Sequence, residues 1–66
     1  MVNGKRLQEL RENAKLSTAQ LAEIVGVSQP MISQMESGLK TPKLEVMARI
    51  AKRLGTTVDG LINEPT

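Results

Sequence analysis

Between Leu16 and Glu36 the chain reads LSTAQLAEIVGVSQPMISQME, and no other stretch constrains the fold as strongly. Ser17 is placed to cap a helix, and Gln20 three residues later completes a capping box in which each side chain accepts the other residue's backbone N–H. Leu16 and Leu21 flank that cap at the spacing of a hydrophobic staple. Gly26 supplies the left-handed residue that closes a helix. Val27 and Ile32 repeat the staple spacing, with Ser28 or Gln29 as the second cap. Two short helices joined by so tight a turn cross steeply, which is helix-turn-helix geometry.

The chain has 66 residues, enough for a single domain over 1–66 with a core spanning about 5–62. A chain this small buries only about 60% of its unfolded surface, so stability is modest unless it dimerises or packs very well. It has no cysteine and no histidine. That removes a disulfide framework and thiolate chemistry, is consistent with a reducing cytoplasm, and leaves a zinc site without its usual ligands. No apolar run approaches the ~20 residues of a membrane span, and MVNGKRLQEL passes straight into a charged amphipathic pattern instead of a signal peptide. A cytoplasmic protein without a membrane or cofactor role is the expectation. Nine basic against seven acidic residues give a net charge of +2, too small a basic excess to indicate nucleic acid by itself. The absence of Phe, Tyr and Trp says more, because single-strand and RNA modules usually stack bases on aromatic rings. Duplex recognition by a helix needs none.

Helical periodicity accounts for nearly the whole chain and predicts an all-α bundle of about five short helices. The first, about Lys5 to Lys15, places Leu7, Leu10 and Ala14 on one stripe. The second, about Thr18 to Val25, buries Leu21, Ala22 and Val25. The third, about Pro30 to Ser37, turns Ile32, Met35 and Glu36 inward and closes at Gly38. Thr41 and Pro42 are expected as N-cap and first residue of a fourth helix, where proline's missing N–H costs nothing. That helix runs to Leu54, with Leu44, Met47, Ile50, Ala51 and Leu54 at core spacing and Gly55 ending it. A short fifth helix over Val58 to Ile62 closes the bundle despite Gly60, and Asn63 to Thr66 are expected to fray.

With these elements placed, the sequence resembles the phage repressor and Cro-type helix-turn-helix family, also called the XRE family. The resemblance runs from L-x-x-L-R at Leu7 to Arg11 through I-A-x-x-L-G at Ile50 to Gly55. At its centre lie L-S-x-x-Q-L-A over Leu16 to Ala22, G-V-S over Gly26 to Ser28, and I-S-x-x-E-x-G over Ile32 to Gly38. Each piece is common alone; their order and spacing make the match specific. The resemblance implies a lambda-repressor-like DNA-binding domain whose third helix enters the major groove. It assigns base contacts to the start and exposed face of that helix, here Gln29, Pro30, Ser33 and Gln34.

Independently of the family, Gln29 and Gln34 lie off the Ile32/Met35 stripe, and a glutamine amide pairs bidentately with adenine N6 and N7. The alternative is that both are merely solvated. Ser33 specifies less, since a hydroxyl accepts or donates to several base edges. Pro30 disfavours α conformation in the residue before it, which points to Gln29 as the N-cap and re-aims its side chain. Pro30 then either starts the helix rigidly or offers an apolar surface to a thymine methyl. Phosphate contacts are expected from Ser17, Thr18 and Gln20, where the orphan N–H groups of the second helix suit an anion. Lys40, Thr41 and Lys43 after the third helix are the other candidates, with ordinary solubilising charge as the alternative for the lysines.

Arg11 and Glu36 each sit on the core side of their helices, odd for a charge unless it is paired. The resemblance implies a salt bridge between them linking the first and third helices. Met35 and Met47 read as core filler, and Met31 as a residue partly exposed beside the DNA.

These features lead to a sequence-specific double-stranded DNA-binding regulator, a repressor before an activator, working as a homodimer on a palindromic operator. Val46, Val58, Leu61 and Ile62 are candidates for the two-fold seam, or for closing the core. A stand-alone prophage repressor, a restriction-modification controller and an antitoxin that represses its own operon fit alike. The competing class is a protein-interaction module that keeps the fold and binds a protein partner; the weak charge and Pro30 favour it. No small-molecule site is evident and an enzyme is not expected, since the chain lacks histidine, cysteine and a paired-carboxylate motif.

Overall fold

A computed structural model describes residues 2–62, which fold into five helices: α1 (Gly4–Asn13), α2 (Thr18–Val25), α3 (Gln29–Glu36), α4 (Leu44–Leu54) and α5 (Val58–Ile62). The expected fraying of 63–66 lies outside these residues. Leu7, Leu21, Ile32, Met35, Ile50 and Leu61 are fully buried, so every helix contributes to one core. Each such side chain stabilises the fold by roughly 1.5–3 kcal/mol relative to exposure. Among the described residues no helix is long and apolar enough to cross a membrane.

The helix-turn-helix forms as its local signals dictate. Ser17 Oγ accepts the Gln20 N–H at 3.0 Å and Gln20 Oε1 accepts the Ser17 N–H at 2.8 Å, completing the capping box. Gly26 takes φ 78° at the end of α2, and the Gly26 and Val27 N–H groups both donate to the Ala22 carbonyl. Gly38 adopts φ 82° after α3, where its N–H donates to Met35 O and the Leu39 N–H to Gln34 O in a Schellman pattern.

Four boundaries and burials differ from expectation. Ser28, not Gln29, caps α3: its Oγ accepts the Met31 N–H at 3.3 Å, and Gln29 and Pro30 become the first two helical residues. Proline at the second position still removes only an orphan N–H, so the hydroxyl cap outweighs the strain Pro30 places on Gln29. α1 begins at Gly4, because Asn3 Oδ1 accepts the Arg6 N–H at 3.1 Å, and it ends at Asn13. Lys15 lies beyond that end in the left-handed region at φ 61°, its N–H donating to Glu12 O and the Leu16 N–H to Arg11 O. α4 starts at Leu44 with Lys43 as an N-cap that makes no side-chain bond, while Pro42 is buried in the connecting segment. Burying an apolar ring outweighs the small advantage of proline at a helix start. Leu44, expected in the core, is 66% exposed: the α4 stripe of Met47, Ile50 and Ala51 leaves the core before reaching it.

Of the residues weighed for a two-fold seam, Leu61 is fully buried and so unavailable, while Val46, Val58 and Ile62 are half-buried against the core. α5 is tied to the start of the chain by the Asn3 N–H, which donates to Leu61 O at 2.7 Å.

Candidate nucleic-acid interface

α2 and α3 together present one polar surface. Gln29, Pro30 and Ser33 are exposed along α3 and Gln34 is half-buried. Beside them, Ser17 and Gln20 are exposed at the start of α2, with Thr18 half-buried. A hydrogen bond from Gln29 Nε2 to Thr18 Oγ1 at 3.0 Å joins the first turns of the two helices. It ties one candidate base-contacting side chain to one candidate phosphate-contacting side chain. Lys40, Thr41 and Lys43 are exposed beyond the other end of α3, and neither lysine makes an ion pair among the described residues. An eight-residue helix is about 12 Å long. The candidate residues thus line α3 and flank both of its ends. Met31 is half-buried against the core, while Met35 and Met47 are buried within it.

The surface is held in place from behind. Arg11 on α1 grips Glu36, the last residue of α3, with Nε at 2.6 Å from Oε2 and an Nη at 3.1 Å from Oε1, a bidentate pair. Its other Nη donates to the Leu16 carbonyl at 2.7 Å, just ahead of the α2 cap. Both side chains are only 11% exposed. Hydrogen bonding to Glu36 raises the Arg11 pKa above the ordinary arginine value, against the opposing effect of burial. One guanidinium therefore joins α1, the approach to α2 and the end of α3.

Three contributors escaped sequence reasoning. Arg49 on α4 pairs with Glu45 at 2.6 Å and donates at 3.3 Å to the Val25 carbonyl, placing a cation at the negative end of α2. The Glu45/Arg49 spacing signals the ion pair, but nothing local signals the reach to α2. Gly4 meets the end of α3, a contact between residues over thirty positions apart in sequence. Lys15 holds its αL position where glycine is the usual occupant.

Fold and surface together define a helix-turn-helix protein of the transcriptional-regulator type with a repressor-like architecture. The helix-turn-helix family model matches residues 7–61, and the chain belongs to that family. An uncharacterised HTH-type transcriptional regulator of Mycobacterium tuberculosis (strain CDC 1551 / Oshkosh) is 43% identical over 58 residues, covering 88% of this chain and 41% of that protein. The immunity repressor protein of Bacillus phage phi105 is 30% identical over 66 residues, covering 100% of this chain and 46% of that one. The chain thus spans less than half the length of both curated relatives. The crystal structure of the P22 c2 repressor in complex with a synthetic operator superposes with a TM-score of 0.90 at 32% identity, covering 96% of each chain.

Proposed function

We propose that the chain is the reading head of a sequence-specific double-stranded DNA-binding transcriptional repressor, with α3 lying in the major groove. The observation that carries the reading is the joint surface of α2 and α3: exposed amide and hydroxyl side chains on α3, with free backbone donors and lysines at its margins. Gln29 and Gln34 contact adenine edges, Ser33 adds an adaptable hydrogen bond, and Pro30 offers an apolar contact to a thymine methyl. The N–H groups at the start of α2, with Ser17, Thr18 and Gln20, receive one phosphate, and Lys40, Thr41 and Lys43 receive another. These contacts fix register and carry no sequence information; the α3 side chains supply it. Likeness to a repressor solved on its operator supports the arrangement.

One such head covers only a few base pairs. Two heads related by a dyad, on half-sites about one helical turn apart, supply the missing affinity and discrimination. The site of action is the bacterial cytoplasm, with phage or host DNA as the partner.

In vitro selection from a random duplex library tests the reading. Enrichment of a palindrome with half-sites one turn apart is expected. A pool that stays random, or binding with no salt dependence, would transfer the surface to a protein partner.

A further inference from the structure

We infer that Gly4 is a positioning residue for the reading helix, its missing side chain setting how closely α1 seats against the end of α3. Gly4 is the first helical residue of α1, where glycine's backbone freedom brings no benefit and its entropy on folding is a cost. Its φ lies outside the left-handed region, so conformation does not require glycine here. Space does. A Cβ at this position would overlap the Glu36 carbonyl oxygen and stand 2.7 Å from that of Met35. Both obstacles are backbone, so no side-chain rotation relieves the clash. The approach brings the positive end of α1 against the terminal carbonyls of α3, an attractive head-to-tail arrangement of helix dipoles.

The contact falls on the residue whose carboxylate Arg11 holds. α3 is thereby located by one α1 residue through its backbone and by another through its side chain. The first turn of α1 is itself fixed: Asn3 caps it, the Asn3 N–H bonds Leu61 O, and Val2 is buried. α1 therefore cannot swing away freely, and α3 must yield. Restoring an ordinary carbon–oxygen contact of ~3.3 Å needs a shift on the order of 1 Å. Across a helix about 12 Å long, that tilts α3 by about 5°. Gln34 lies two residues before the contact, and bidentate pairing with a base tolerates only a few tenths of an ångström.

The inference rests on α3 being the reading helix, and the experiment separates the two claims. Gly4→Ala is compared with Ile50→Val, which loosens the core from α4 and adds no atom at the end of α3. Both are assayed at a temperature where circular dichroism shows them folded. Gly4→Ala is expected to bind the selected operator at least ~10-fold more weakly while its affinity for random duplex stays within about twofold. Ile50→Val is expected to keep the wild-type ratio of the two affinities. Asn3→Ala, which frays the same turn without adding an atom, is expected to lower that ratio in the same direction and guards against a Gly4→Ala chain that does not fold. A wild-type ratio in either α1 variant, or equal losses on operator and random duplex, overturns the inference. Residual dipolar couplings of the free protein carry the test without DNA. Reorientation of α3 relative to α4 in Gly4→Ala supports the positioning role, and an unmoved α3 overturns it. Wild-type protein that fails to discriminate operator from random duplex sinks the DNA reading alone and leaves this arm intact.

Discussion

Replacing Glu36 by leucine takes from Arg11 two of its three hydrogen bonds and leaves a guanidinium that is only 11% exposed facing an apolar side chain. Removing one partner of a buried pair costs about 3–5 kcal/mol, because the survivor keeps its desolvation penalty without its counter-charge. The pair is part-buried, the Leu16 carbonyl still accepts one bond and the Glu12 carboxylate stays 3.9 Å away, so no more than the lower end, about 3 kcal/mol, is expected here. At ~0.05–0.15 kcal/mol per residue a chain this short has about 3–10 kcal/mol in total. The loss therefore shifts the melting midpoint by roughly 12–24 °C. Arg11→Met strands the carboxylate instead and costs a similar amount. The double variant, with both charges gone, should recover most of the loss, and the double-mutant cycle gives the coupling directly. Urea and thermal melts followed by circular dichroism supply the numbers. The sign of the Arg11 shift sets the pH behaviour. A pKa raised on folding contributes stability that is fully present below the unfolded value and lost only as pH rises through the folded one. For arginine that window lies far above neutrality, so the Glu36→Leu penalty should be equal at neutral and mildly alkaline pH. Unchanged midpoints in both single variants would instead mark the pair as a surface contact worth under ~1 kcal/mol.

Lys40→Ala and Lys43→Ala should each weaken duplex binding uniformly across sequences and reduce the slope of log affinity against log salt by about 1, read from anisotropy titrations at several salt concentrations. Lys15→Gly should stabilise the protein by about 1 kcal/mol in the same melts, because φ 61° is strained for lysine and free for glycine.

What the sequence disclosed and what it withheld divide by distance along the chain. The Ser17/Gln20 box, the Gly26 turn and the Leu16/Leu21 staple depend on residues three to five positions apart, so their geometry follows from local rules. Arg11 and Glu36 stood out as charges on core stripes, and it was the family resemblance that implied their pairing across 25 positions. The start of α3 misled because two local rules conflict there, and the Ser28 hydroxyl cap outweighs proline's bias against α conformation at Gln29. The start of α4 misled because Pro42 has an apolar ring to bury as well as a fixed φ. Gly4, Arg49 and the Thr18/Gln29 bond were illegible for a common reason: each joins elements whose spacing is set only once the bundle closes. The candidate base-contacting side chains of α3 are placed beside the start of α2 by the fold.

If α3 reads base edges, Gln34 is one of the readers. Parallel in vitro selections with wild type and Gln34→Ala, compared position by position for base preference, decide this. The same palindrome is expected from both, with one position in each half-site degenerate in the variant at a cost of about 1–3 kcal/mol on the wild-type operator. Identical preferences from the two proteins would remove Gln34 from the reading surface, and an unenriched wild-type pool would contradict the account as a whole.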